Sequence, residues 1–310
     1  MLIVAGPTGS GKSALALDVA SAFGGVVINA DSAQVYRELR VLTARPSSDD
    51  EARVPHRLYG VLSAAERCSA GRWLEMAGAA ICQASSAGRL PVVVGGTGLY
   101  LKVLTEGLAP VPPVPAEVRA EAIALWAKLG GEAFRAMLAQ RDPQAAAKLP
   151  AGDRQRLLRA WEVVQATGRP LSEWQNAAGE GKKPESSGAT LVLSPPREAL
   201  YPALDARFLR MLEGGALHEV ETLVAMQLDP SLPAMKAVGV RELAAHLRGE
   251  TTLERATAVA QQATRRFAKR QMTWLRHQAA ANTVVFEQYS ERIKMEIFSF
   301  IRREVLTGAR

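Results

Sequence analysis

Residues 3–20 read IVAGPTGSGKSALALDVA, and within them Gly6-Pro7-Thr8-Gly9-Ser10-Gly11-Lys12-Ser13 fits the phosphate-cradling pattern G-x-x-x-x-G-K-[ST]. An apolar strand signal, Leu2-Ile3-Val4-Ala5, precedes the pattern and a helical run follows it, the setting a P-loop requires. Glycines let successive backbone N–H groups converge on phosphate oxygens, and the N-terminus of the following helix adds a positive dipole. Lys12 then neutralises phosphate charge. Ser13 offers its hydroxyl to Mg²⁺, a cation that takes a few hard oxygens alongside the phosphates themselves. The loop alone leaves open whether those phosphates belong to a nucleotide or to another diphosphate.

Working outward, strand-like runs at Val26–Asn29 and Leu90–Val94 alternate with helical stretches from Ser13 to Phe23 and from Ser69 to Ala87. This rhythm predicts an α/β fold: a P-loop NTPase-like parallel sheet flanked by helices, with its site at the strand C-termini. At Pro110-Val111-Pro112-Pro113-Val114-Pro115 the pattern changes to a proline-rich hinge, and Ala-rich helical segments run from Glu117 to Thr167. We read residues 113–188 as an inserted helical module that ends in a polar linker from Asn176 to Gly188. Ala189–Leu193 is another buried strand, so residues 1–112 and 189–286 form the catalytic core. The tail, 287–310, has Ile293, Ile297, Phe300 and Ile301 at helical spacing but no motif, and receives no role.

Composition narrows the partners. Of the 310 residues, 48% are hydrophobic and 22% charged, values typical of a globular chain and not of a disordered one. No apolar run reaches the roughly eighteen residues a membrane helix needs. The strand beginning at residue 2 leaves no room for a cleavable leader, so the expected location is the cytoplasm. Cys68 and Cys82 lack C-x-x-C spacing and are expected to be reduced, semi-buried thiols. The net charge of +7 points to an anionic partner.

Two more strand ends carry chemistry. Asn29-Ala30-Asp31-Ser32-Ala33-Gln34-Val35-Tyr36 places a carboxylate beside the P-loop, where Asp31 could bind Mg²⁺, act as a general base, or simply cap a helix. Val94-Gly95-Gly96-Thr97-Gly98-Leu99-Tyr100 is a glycine-rich turn that opens a helix and brings Thr97 to the same cleft. Near the C-terminus, ATRRFAKRQMTWLRHQ puts Arg266, Lys269, Arg270 and Thr273 on one helical face, while Phe267 and Trp274 lie on another. Arg265 and Arg276 add to the charge, and no acidic residue occurs between Arg265 and Gln278, so the stripe suits phosphates better than a mixed solvated face does. Arg154, Arg156 and Arg159 form a further basic cluster, with Leu157, Leu158 and Trp161 opposite, and Lys236 and Arg241 form another.

Taken in order, GPTGSGKS, DSAQVYR, PHRL, GGTGLYL, QRLLRAWEV, KAVGVRE and KRQMTWLR closely resemble the motif series of the tRNA dimethylallyltransferase family, also called tRNA isopentenyltransferases. The resemblance runs from Leu2 to about Arg276. It implies transfer of a dimethylallyl group from dimethylallyl diphosphate to N6 of adenosine 37, next to the anticodon, with Mg²⁺ as cofactor. The P-loop then holds the diphosphate of an isoprenoid donor, and Asp31 acts as base on N6. Thr97 and Arg207, the latter in LDARFLRML, contact the donor or the reacting centre.

Carried over in the same way, the contacts to the tRNA anticodon stem-loop fall on Asp31, Ser32, Ala33, Gln34, Thr97 and Arg119. They continue through Gln155, Arg156, Leu157, Leu158 and Arg159, then Lys236, Ala237, Val238, Gly239, Val240 and Arg241. The last group is Lys269, Arg270, Gln271, Met272, Thr273, Trp274, Leu275 and Arg276. The family precedent is a monomer that uses no membrane. The chain departs from the pattern at Leu42-Thr43-Ala44-Arg45-Pro46, where the family usually reads GTAKP, and at Val240, often Tyr. A small-molecule kinase, an isopentenyltransferase acting on free adenylate and an RNA-binding ATPase-like switch are the rival readings of the same P-loop.

Overall fold

The computed structural model describes residues 1–177 and 188–306, so most of the 176–188 linker and the end of the tail lie outside the described residues. The chain divides into two compact units, Met1–Leu104 with Ser186–Arg310, and Thr105–Glu185.

The first unit is built on β1 (Leu2–Ala5), β2 (Gly25–Asn29), β3 (His56–Arg57), β4 (Leu90–Gly95), β5 (Ala189–Leu193) and β6 (Thr283–Val285). They form one six-stranded sheet in the order β3-β2-β4-β1-β5-β6, every pairing parallel. β1 is central, with Leu2 opposite Val92 on one side and Ala189 on the other. Every residue of β1, β2 and β5 is buried, as expected where helices cover both faces of a parallel sheet.

Strand alternation sorts the core into two clusters. Ile3 and Ala5 face one side with Ile28, Val93, Trp73 and Tyr100; Leu2 and Val4 face the other with Leu15, Val19, Leu191 and Ile297. α1 (Lys12–Ala22) lies on the second side. α3 (Ala70–Ser86) and α4 (Gly98–Glu106) lie on the first, and the short α2 (Ser48–Arg53) starts from a Ser47–Asp50 capping box. In α3, Trp73, Ala77, Ala80, Ile81 and Ala84 are buried at the spacing that keeps one helical stripe on the sheet. Cys68 is half-buried and Cys82 exposed, so the second thiol departs from the expected burial: its place on α3 faces solvent.

The second unit consists of α5 (Ala116–Ala139), α6 (Pro143–Lys148), α7 (Arg154–Thr167) and α8 (Leu171–Ala177). α5 kinks at Gly130, whose φ of 72° lies outside the helical region. Phe134 sits between Trp126 and Trp161, with ring centroids 5.1 and 5.7 Å away. The fully buried Asp142 is satisfied on three sides, by Ala145 N at 3.0 Å, Ser172 N at 3.1 Å and Ser172 Oγ at 2.7 Å.

After β5 the first unit continues with α9 (Arg197–Glu213), α10 (Ala216–Ala225), α11 (Val240–Leu247), the 26-residue α12 (Leu253–Gln278) and α13 (Glu291–Ile301). α13 packs the tail onto the first unit. Ile293, Ile297, Phe298 and Ile301 are buried in the same cluster as α1 and the even positions of β1.

Candidate active site

The P-loop leaves β1 and enters α1 through two left-handed glycines, Gly9 (φ 81°) and Gly11 (φ 85°). A Cβ on Gly9 would stand 2.7 Å from Leu204 Cδ2, and one on Gly11 2.8 Å from Tyr289 Cβ, so both conformation and space require glycine. Lys12 Nζ donates to Pro7 O at 3.2 Å, curling back over the loop. Burial lowers its pKa to about 8; the nearby Asp31 pulls it upward and Arg207 pushes it further down.

Asp31 stands just past the end of β2, and its backbone is fixed by the fully buried Asn29. The Asn29 amide donates to Asp31 O and Leu58 O, both at 3.0 Å, while Asp31 N donates to Asn29 Oδ1 at 2.8 Å. Trp73 Nε1 in turn donates to Asn29 O at 2.9 Å. Turns follow Asp31 and no helix does, so its Oδ1, accepting from Ala33 N at 2.9 Å, closes a turn and caps no helix. Thr97 Oγ1 accepts from Ser32 N at 3.0 Å and lies 3.3 Å from Ser32 Oγ. Thr97 thus ties the turn after β4 to the loop carrying Asp31, and it does not line the cleft.

The cleft, about 320 Å³, is lined by Thr8, Lys12, Ser13, Asp31, Gln34, Arg207 and Arg210 among others. Arg207 Nη1 donates to Thr8 Oγ1 at 3.4 Å, and burial lowers the guanidinium's pKa against the opposing pull of Asp31. Gln34 donates to Thr43 O at 2.9 Å and Ala44 O at 3.0 Å, holding the Leu42–Pro46 segment against the cleft. Three cations therefore share one cleft with one carboxylate: a place to hold a diphosphate, with a base beside it. Ser13 and Asp31 supply a hydroxyl and a carboxylate on its wall, and no cluster of three or more His, Cys, Asp or Glu occurs among the described residues. Such a sparse donor set fits Mg²⁺ held mainly through substrate phosphates.

Sequence reasoning missed several members of this site. Gln288 lines the cleft and donates to Gly9 O at 2.7 Å, Tyr289 N donates to Ser10 O at 3.1 Å, and Tyr289 OH donates to Asp18 Oδ2 at 2.8 Å. The tail therefore braces the P-loop. Only the helical spacing of Ile293, Ile297 and Ile301 hinted that this segment packs at all. Arg210, one turn beyond Arg207, was also unmarked.

On α12, Arg266, Lys269, Arg270, Thr273 and Arg276 are exposed, and Phe267 and Trp274 are half-buried. Arg265 is committed elsewhere: it pairs with Asp205 of α9 through two contacts of 2.6 Å. Lys236 and Arg241 are exposed, and Ala237 and Val238 partly so. In the second unit Arg119, Gln155, Arg156 and Arg159 are exposed. Seven residues of the expected tRNA set are buried in this structure. Leu157, Leu158, Gly239, Val240, Gln271, Met272 and Leu275 face the interior.

A phosphate cradle after the central strand of a parallel sheet, with a carboxylate at the end of β2, one strand further along, and cationic side chains on the same cleft, defines a P-loop transferase handling a phosphorylated substrate. The family model for IPP transferase matches residues 34–278, and that for isopentenyl transferase matches residues 1–64. The chain is 62% identical over 281 residues to a tRNA dimethylallyltransferase of Rhodospirillum centenum, covering 91% of this chain and 90% of that protein. It is 53% identical to one of Rhodospirillum rubrum, with 100% and 96% covered. Among solved structures, the tRNA isopentenylpyrophosphate transferase of Bacillus halodurans superposes with a TM-score of 0.71 at 29% identity, covering 99% of this chain and 96% of that one. A eukaryotic dimethylallyltransferase acting on tRNA gives 0.77 at 25% identity, with 100% and 77% covered. The chain belongs to the IPP transferase family.

Proposed function

We propose that this protein transfers the dimethylallyl group of dimethylallyl diphosphate to N6 of adenosine 37 in the anticodon stem-loop of tRNA, acting as a monomer in the cytoplasm. The observation that carries the reading is one cleft in which Lys12, Arg207 and the P-loop amides oppose Asp31. The names of the relatives point to the same substrates.

In the reaction the allylic C–O bond breaks, its electron pair leaving with the diphosphate, and a C–N bond forms from the adenine's exocyclic amine. That amine is a poor nucleophile, because its lone pair is delocalised into the ring. Asp31 accepts the N6 proton as the new bond forms, a contribution of about 10²- to 10⁴-fold. Lys12, Arg207 and the N–H groups of the loop are aimed at the negative charge that grows on the leaving group. A Mg²⁺ held by Ser13 and the donor's phosphates would supply further charge neutralisation. Thr97, bonded to Ser32, keeps the Asp31 loop in register. The adenine must leave its stack to enter the cleft, which is least costly in a single-stranded loop.

The exposed basic groups of α12, with Lys236 and Arg241, are the proposed tRNA contacts of the first unit; Arg119, Gln155, Arg156 and Arg159 are those of the second. Arg270→Ala is expected to weaken tRNA binding and reduce the slope of log Kd against log salt by about one, leaving diphosphate binding unchanged. A binding titration at several salt concentrations reads this, and an unchanged slope would assign Arg270 to a solvated face.

The function itself is tested with donor labelled in its isoprenyl chain, Mg²⁺, unmodified tRNA, and free AMP and ATP as competing acceptors. Label is expected in tRNA and is lost when adenosine 37 is replaced. Label in AMP or ATP would move the protein to the free-nucleotide branch, and phosphorylation of a small acceptor with release of ADP would make it a kinase.

A further inference from the structure

Gln271 is one of the few buried polar side chains of the first unit, only 5% exposed, and it sits in the middle of the helix whose neighbouring positions Lys269, Arg270 and Thr273 face solvent. Its amide is used at both ends. Oε1 accepts from Thr8 N of the P-loop at 2.8 Å, and Nε2 donates to Gly96 O at 3.0 Å. Three segments far apart in sequence therefore meet on one side chain. The packing around it leaves no slack: a Cβ on Gly96 would overlap the Gln271 amide, and one on Gly98 would overlap the Trp274 ring. α12 rests directly on the turn that carries Thr97, and a close-packed contact of this kind moves as a unit. From Thr8 the chain of contacts continues to Arg207 on the cleft wall, while Arg265 and Asp205 join α12 to the helix that bears Arg207.

We propose that Gln271 is a positioning residue that couples the two substrate sites, so that tRNA on α12 and the donor's diphosphate in the P-loop each tighten the other's binding. This rests on the functional reading above. Binding of RNA to the exposed face fixes α12. Gln271 then fixes Thr8 N and Gly96 O, which orders the P-loop and the turn that holds the Asp31 loop. By linkage the effect is reciprocal. A leucine at 271 matches the volume but leaves Thr8 N–H and Gly96 C=O without partners. A glutamate keeps the acceptor toward Thr8 and sets two acceptors against each other at Gly96.

The test is a pair of binding titrations on the full chain. The Kd of a fluorescent anticodon stem-loop is measured with and without saturating inorganic diphosphate and Mg²⁺, and the Kd of diphosphate with and without the RNA. In the wild type each ligand is expected to tighten the other by at least about 5-fold, the lower end of ordinary coupling. In Gln271→Leu the factor falls to about 1 while each ligand binds alone within about 3-fold of wild type. Gln271→Glu, the less disruptive change, gives an intermediate factor and decides the matter if the leucine variant does not fold. A wild-type factor of 1, or an equal factor in wild type and variants, overturns the proposal and leaves the functional reading standing. Failure of the wild type to bind the stem-loop or diphosphate overturns both.

Discussion

Asp31→Asn is expected to fold, to bind both substrates, and to transfer the prenyl group about 10²- to 10⁴-fold more slowly than the wild type. The substitution is chosen for what it preserves. Asparagine keeps the Oδ1 that accepts from Ala33 N, and the backbone of residue 31 stays held by the Asn29 side chain. What disappears is the negative charge and the site for the N6 proton. Because Asp31 also raises the pKa of Lys12, which is about 8 with the carboxylate in place, the comparison is made with saturating donor, whose diphosphate favours the charged Lys12 in both proteins. Single-turnover transfer with saturating donor and tRNA reads the step directly. A rate within a few-fold of wild type would remove Asp31 from the role of base.

Lys12→Met is expected to reduce transfer by about 10²- to 10³-fold, the usual cost of removing one preorganised donor to a developing anion. A more specific expectation comes from its lowered pKa. In the empty site Lys12 titrates at about 8, against an ordinary value of 10.5. Arrival of a diphosphate restores the charge, so binding at pH 8–9 takes up a proton, and donor affinity declines as pH rises through 8. The sign is opposite for stability of the empty protein. The folded state loses its proton near 8 while the unfolded chain keeps it to 10.5, so Lys12 adds stability as pH rises between those values. Calorimetry of diphosphate binding in two buffers of different ionisation enthalpy measures the proton uptake, which should vanish in Lys12→Met. Uptake that persists in the variant would assign the proton to another group.

The elements around the P-loop were legible because their signals are local. β1, the loop and α1 are contiguous, and the buried strands Val26–Asn29, Leu90–Val94 and Ala189–Leu193 announce themselves as apolar runs bounded by glycine and polar residues. Asp31 was marked by its place at a strand end and Arg207 only by the family resemblance; both line the cleft. What the sequence hid is everything defined by contact at a distance. Helical spacing puts Gln271 on the face of Phe267 and Trp274 and Arg270 on the basic face, but nothing in KRQMTWLR says what Gln271 meets there. Only the fold shows that Thr8 and Gly96 meet the glutamine. Arg265 looked as free as Arg266 until α9 supplied Asp205. Gln288 and Tyr289 lie in a stretch without a motif, and their partners are the first turn of the chain.

The position of β1 also bears on how the protein is made. β1 and its loop are made well before one of β1's two neighbours, Ala189–Leu193, and before the brace on the loop at residues 288–289. At ordinary synthesis rates these partners arrive on the order of 10 to 60 s later. The helices of the second unit, whose contacts are local in sequence, can acquire their core during that interval. Until Ala189–Leu193 is made, β1 has only β4 to pair with, so the nascent chain carries one open hydrophobic edge, a feature that chaperones recognise and that promotes aggregation when they are scarce. The motif that is easiest to read is the last to take its working shape.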